Sequence, residues 1–180
     1  MKKLFFIIAV LLCASGFAQV NKVSLQASGL TCSMCSNAIN KSLQSLDYIE
    51  KVTANIKTST FDIKFKPGAA VNFDQLKKKV EDAGFFVANL TATVNFNNLK
   101  IEKDQHYNVA GINMHFLNAD AQVLNGEQTV QIVDKGYVSA KAFKKNQALT
   151  SMECYKTGVA GTCCKKSGLD AGTRIFHVSI

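Results

Sequence analysis

The chain contains no tryptophan, one proline and only 13 acidic residues among 180. The single proline sits in a Pro67-Gly68 turn, so turn signals elsewhere fall to glycine, asparagine and aspartate. There is no phosphate-binding loop, no HExxH pair and no serine, histidine and acid at a spacing that could serve a triad. These absences remove nucleotide-cradling, zinc-protease and serine-hydrolase chemistries. After the first eighteen residues no stretch is apolar enough to span a membrane, which takes about 20 apolar residues. The chain is not short of core-forming material: 47% of it is apolar and 19% charged. That supports one or two small globular domains and gives no indication of disorder.

Met1 to Ala18 has the form of a secretory leader. Lys2 and Lys3 begin it, Leu4 to Leu12 are apolar, and Gly16-Phe17-Ala18 is a small-x-small cleavage site before Gln19. Lipid attachment at Cys13 is disfavoured, because bulky Leu12 precedes it where a small residue is needed. The mature chain is therefore expected to be periplasmic or secreted, with no membrane span. Losing Lys2 and Lys3 lowers the formal net charge of +8 by two. Export argues against nucleic acid as a partner, and the lysines are scattered or in short groups such as Lys77-Lys78-Lys79 without interleaved aromatics. They read as a solvated helix face, able at most to steer an acidic protein. Five cysteines remain: Cys32, Cys35, Cys154, Cys163 and Cys164. An odd number in an oxidising compartment leaves at least one thiol free, shared between chains or bound to metal.

Cys32 and Cys35 lie in Gly29-Leu30-Thr31-Cys32-Ser33-Met34-Cys35, where a strand-like run gives way to a helix-like one. Thiols at i and i+3 converge on one ion only if the backbone between them is compact, as in a loop entering a helix. Cys35 would occupy the first helical turn, where unpaired N–H groups and the helix dipole favour a thiolate. Thiolates select Cu(I), Zn(II) and other soft ions over magnesium or calcium. The spacing also permits a redox couple or half of a zinc site.

Around this pair, Val23, Leu25 and Ala27 alternate as a half-buried strand. Cys35, Ile39, Leu43 and Leu46 then form one helical stripe. Two alternating runs, Val52 with Ala54 and Phe61, Ile63 with Phe65, make a hairpin across Lys57-Thr58-Ser59. Asn72 and Gln75 form a capping-box pair, Leu76, Val80 and Ala83 a second stripe, and Gly84 a helix stop. The order strand, helix, strand, strand, helix, strand over residues 22–90 is a ferredoxin-like βαββαβ unit. With the Gly29 to Cys35 motif and Ala83-Gly84-Phe85, it resembles the heavy-metal-associated (HMA) domain of copper chaperones, copper-pumping ATPases and periplasmic mercury scavengers. The resemblance implies metal ligation by Cys32 and Cys35, and shielding of the site by Phe85, which matches the family's aromatic position beside the loop. Leu30 departs from the family's usual methionine, a close volume match that should leave binding intact.

Residues 91–180 resemble no family. Phe86 to Phe96 alternates without a linker, so the last strand of the first unit is expected to run stiffly into the second. Short strand-like runs at 100–102, 107–110, 113–116, 129–133, 137–143 and 174–180, separated by turn signals, predict a small antiparallel β domain. The overall class is thus α+β. Cys154, Cys163 and Cys164, with Met152 nearby, lie in a glycine-rich loop. They form either a second soft-metal site or a stapling disulfide, with the disulfide preferred. His106, His115 and His177 are each taken as ordinary satisfied histidines. Met114 and His115 would point to opposite faces of a strand.

These features favour an exported, non-enzymatic metallochaperone or scavenger. It would bind Cu(I), or alternatively Hg(II) or Zn(II), and pass the ion by ligand exchange to a receiving or efflux protein. A thiol–disulfide oxidoreductase is the competing class, disfavoured by the lack of tryptophan and by the element order. A metal-sensing adaptor for an efflux partner is the third.

Overall fold

A computed structural model describes residues 19–30, 32–117 and 119–180. The expected leader over residues 1–18, Cys13 included, lies outside them, as does Thr31 of the cysteine motif.

The first half comprises β1 (Gln19–Ser28), α1 (Ser33–Gln44), β2 (Ile49–Asn55), β3 (Thr60–Phe65), α2 (Phe73–Asp82) and β4 (Phe86–Ile101). β1 pairs antiparallel with β3 on one side and β4 on the other, and β2 pairs with β3. This is the ferredoxin-like arrangement. Val23, Leu25 and Ala27 of β1 are buried together with Ile39 and Leu43 of α1 and Leu76 and Val80 of α2. The helices start where their caps dictate: Cys32 precedes α1, and the Asn72 side chain accepts the Gln75 N–H at 3.0 Å ahead of α2. α2 stops at Gly84, whose φ of +89° costs a glycine little.

β4 does not end with this unit. It runs sixteen residues, and from Thr91 onward its free edge is paired with β7 (Gln122–Ile132). A bulge at Asn97-Asn98 interrupts the register, and Asn98 takes a left-handed φ of +48° there. β5 (His106–Val109) and β6 (Ile112–Phe116) form a hairpin, and β8 (Phe176–Ser179) lies between β6 and β7.

The result is one eight-stranded sheet in the order β2-β3-β1-β4-β7-β8-β6-β5. The strands expected of a small antiparallel β domain are largely present, but they extend the first sheet, and β6 pairs with β8 in parallel. The physical reason is twofold. Without β7, the outer edge of β4 would expose a row of unpaired backbone groups. A parallel neighbour needs a long connection, which residues 117–175 supply. Within that connection, the strand expected over 137–143 is instead largely α3 (Ala140–Gln147). Ser139 caps it by accepting the Ala142 N–H at 3.2 Å, and the helix formers that follow outweigh the apolar alternation.

Alternation sorts the two faces of the extended sheet. Met114, Phe116, Phe176 and Val178 belong to the same core as α1 and α2, and Phe176 packs edge-on against Phe73 with ring centroids 5.1 Å apart. His115 and His177 therefore face the other way. There they meet α4 (Cys154–Thr157) and a 3-10 helix (Thr162–Ser167).

Because β4 is hydrogen-bonded into both halves, residues 19–90 and 91–180 should tumble as one body. Backbone ¹⁵N relaxation should give a single rotational correlation time. Two distinct times would contradict a shared strand.

Candidate metal centres

The first centre lies at the turn from β1 into α1. Gly29 makes that turn with φ at +83°, a conformation that L side chains rarely adopt. Cys32 is the N-cap residue of α1, extended at φ −153° and ψ 163°, and its sulfur accepts the Cys35 N–H at 3.4 Å. This places Cys35 in the first turn and folds its side chain back toward the cap. The Cys32 and Cys35 sulfurs lie 2.8 Å apart, farther than the ~2.05 Å of a disulfide bond. Cys32 is exposed and Cys35 half-buried, so the pair opens outward at the surface. Phe85 is half-buried at the edge of the core, and its ring lies against Gly29: a Cβ built there would stand 3.9 Å from Phe85 Cδ1. Leu30 also packs against the core edge. Met34, between the cysteines, is 80% exposed.

The second concentration of donors lies beneath the far part of the sheet. Cys154 and Cys164 are buried, Cys163 is half-buried, and their three sulfurs lie within 4.8 Å of one another. No disulfide links these three. Met152 packs against the same small apolar cluster.

Here the structure gathers residues that reading them singly had set aside. His106 stands opposite His115 across β5 and β6, and His115 opposite His177 across β6 and β8. The three imidazoles therefore form a row across adjacent strands, with ring centroids 4.9 and 5.0 Å apart. The row reaches the cysteines at Cys154. His106 Nε2 is 3.6 Å from its sulfur, His177 Nε2 3.5 Å and His115 Nδ1 3.9 Å. Met114 is buried in the core on the opposite face, as strand alternation requires, so it is not part of this group. The signal for the row is strand pairing and lies in no single stretch of sequence.

Buried charge holds the row in place. Asp134 is almost fully buried and takes the His177 Nδ1–H at 2.7 Å and the His177 backbone N–H at 3.2 Å. Arg174 meets Asp134 at 2.9 Å and spans to Asp74 of α2 at 2.8 Å. Tyr137 donates to the same Asp74 carboxylate at 2.7 Å. Burial would raise the Asp74 pKa, but hydrogen bonds from Arg174 and Tyr137 hold it below the ordinary carboxylate range. Burial also pushes the Cys154 and Cys164 thiols up, so in the metal-free protein they are protonated at neutral pH. Cys163 moves the other way. Burial opposes the shift, but hydrogen bonds from the Cys154 backbone and from the Cys164 and Cys154 thiols outweigh it.

The sequence profile described as heavy-metal-associated domain matches residues 24–86. A copper-exporting P-type ATPase of Staphylococcus epidermidis is 31% identical over 87 residues, which is 48% of this chain but only 11% of the ATPase. The mercuric transport protein periplasmic component of Serratia marcescens is 31% identical over 86 residues, covering 47% of this chain and 93% of that protein. Among solved structures, a yeast copper transporter domain is 31% identical over 37% of this chain and 90% of its own, with a TM-score of 0.34.

The buried histidine row carries a pH dependence. Burial, reinforced by His177 and His106, lowers the His115 pKa from 6.5 to about 4. The unfolded chain takes up that proton near pH 6.5 and the folded chain only near pH 4. Stability is therefore lost as pH falls through this window, by roughly 3 kcal/mol from this residue. In metal-free, reduced protein, His115→Gln should flatten the unfolding free energy between pH 6.5 and 4 relative to wild type. Parallel curves for the two proteins would show that His115 titrates normally.

Proposed function

Through residues 24–86 the chain belongs to the heavy-metal-associated domain family, and on that premise we propose that it binds one soft ion between Cys32 and Cys35 and passes it on by ligand exchange. The supporting observation is the cysteine pair itself, which the capping turn of α1 draws together at an exposed loop with the sulfurs 2.8 Å apart. Two thiolates leave an ion open to a third, incoming thiolate, an arrangement suited to transfer and unlike a closed structural site. Phe85, seated beside Gly29, would limit water access from the inner side of the loop.

Cu(I) is the ion we favour. The chain aligns with a segment of copper-exporting ATPases, and thiolate pairs suit a soft monovalent ion. Hg(II) is the next candidate, since the chain covers nearly all of a mercuric transport component, and Zn(II) follows on ligand chemistry alone. The leader read in residues 1–18 would deliver the protein outside the cytoplasm, and among the described residues no helix is long and apolar enough to cross a membrane. A receiving partner would be another thiolate-bearing metal protein, such as an efflux component, approached at the exposed Cys32 side. The same pair could cycle as a redox couple. The delivery reading is preferred because the fold around it is the metal-binding one.

Reduced wild-type protein should carry one Cu(I) that exchanges readily with a small thiol competitor. Cys32→Ser and Cys35→Ser should each lose that one exchangeable equivalent while leaving other bound metal in place. Undiminished exchangeable copper in both variants would overturn the proposal. Insulin reduction that depends on Cys32 would move the pair to the redox class.

A further inference from the structure

The donors beneath the far part of the sheet are arranged as a second metal site. Four features distinguish it from chance proximity. The first is spacing. Metal–sulfur and metal–nitrogen bonds of about 2.3 and 2.0–2.1 Å at a tetrahedral angle put sulfur and nitrogen about 3.6 Å apart. His106 Nε2 lies 3.6 Å from both Cys154 Sγ and Cys164 Sγ, and the Cys163 and Cys164 sulfurs are 3.4 Å apart.

The second is orientation. Each of the three histidines turns one ring nitrogen toward Cys154 and the other toward an oxygen. His177 Nδ1 donates to Asp134 at 2.7 Å, His106 Nδ1 meets Ser167 Oγ at 3.0 Å, and His115 Nε2 stands 3.3 Å from Asp104 Oδ1. Ligating histidines are characteristically fixed in this way, with an outer oxygen setting the tautomer and leaving a lone pair aimed at the metal. With Nδ1 of His177 committed to Asp134, its Nε2 offers a lone pair toward the Cys154 sulfur.

Burial of the facing donors is the third feature. His115, His177, Cys154 and Cys164 are all buried, so the sulfur and nitrogen atoms turned toward one another have little solvent to bond with. The fourth is the weakness of the surrounding scaffold. Residues 148–175 contribute a four-residue helix and a six-residue 3-10 helix, with a buried apolar cluster of Cys154, Ala160, Cys164 and Ile175, and Tyr155 buried beside Leu117 and Val133. So small a cluster gains little from burial alone, whereas an ion bonded to both the loop and the strands would pin one to the other.

We propose that Cys154, Cys164 and His106 form one face of a closed thiolate–imidazole site for a single thiophilic d¹⁰ ion of the Zn(II) or Cu(I) class. Cys163 completes it from the half-exposed side, or His115 from the sheet. His177, held by Asp134, positions Cys154. The Cys154 and Cys164 thiols give up their protons on binding, and these are released to solvent. The site differs from the Cys32–Cys35 pair in donor type, in closure and in lying on the opposite face of the sheet from α1 and α2. Its role is to hold the cysteine loop against β5, β6 and β8.

The test uses full-length, reduced protein with Cys32→Ser and Cys35→Ser combined, so that loss of the first centre cannot be mistaken for loss of the second. Native mass spectrometry after loading with Zn(II) alone, and separately with Cu(I) alone, should show one tightly held ion per chain. The ion retained against chelator identifies the metal. X-ray absorption should report both sulfur and nitrogen neighbours, whereas the first centre alone would give sulfur only. Loading should also protect residues 148–175 from proteolysis. Adding His106→Ala, a half-exposed position whose loss the fold should tolerate, should remove one nitrogen neighbour and weaken retention at least tenfold. Adding Cys163→Ser or His115→Gln then separates the fourth ligand, the correct one lowering retention and the other leaving it unchanged. Absence of bound metal in the Cys32→Ser/Cys35→Ser protein would overturn the proposal, as would a Cys154–Cys163 or Cys154–Cys164 disulfide that persists under mild thiol reduction.

Discussion

β4 is the constraint on which the rest of the structure depends. One edge of this strand closes the ferredoxin-like unit against β1, and the other carries β7 and, through it, every strand of the second half. Its inner face supplies Leu90, Ala92, Val94 and Phe96 to a core that passes without interruption from α1 and α2 to Met114, Phe116 and Phe176. A polar substitution midway along it would cost burial on both sides at once, because this one core serves both halves. The Asn97-Asn98 bulge is where the strand relaxes its register, beyond the last contact with β1 at Gln19 and Asn95.

How far this architecture could be read from sequence depended on the range of the interactions. The first half was legible because its signals are local. Alternation in Val23 to Ala27, the stripe from Ile39 to Leu43, the Asn72 cap and the Gly84 stop each lie within one element, and together they fixed a known order. The Cys32–Cys35 pair was legible for the same reason, since a capping turn is a matter of four residues. The second half was not, because what organises it is pairing between strands far apart in sequence, 62 residues apart where Met114 of β6 meets Phe176 of β8. Nothing within Phe176 to Ser179 states that it inserts between β6 and β7, and Tyr137 to Phe143 shows strand-like alternation although Ser139 caps a helix there. The three histidines are unremarkable one at a time and become a row only when β5, β6 and β8 are in register.

Arg174 ties the two halves together a second time. Its guanidinium bridges Asp74 on α2 and the buried Asp134, and Asp134 in turn fixes His177. It also lies over the Phe176 ring, 4.0 Å from the centroid. A charge as deeply buried as Asp134 is tolerable only when paired and hydrogen-bonded. Arg174 and His177 are both needed for that, so the orientation of the histidine row depends on a contact with a helix of the metal-binding unit.

The two groups of donors differ because burial gives them different chemistry. Cys32 sits in solvent at the N-cap of α1, open to an approaching partner. Cys154 and Cys164 are buried where a bare thiolate is penalised, so their anionic form requires a cation beside it. Without one, the Cys154 and Cys164 thiols remain protonated. With one, the penalty that raised their pKa would become part of the reason an ion is retained. The exposed pair is thereby suited to exchange and the buried set to retention, although both are built from the same side chain.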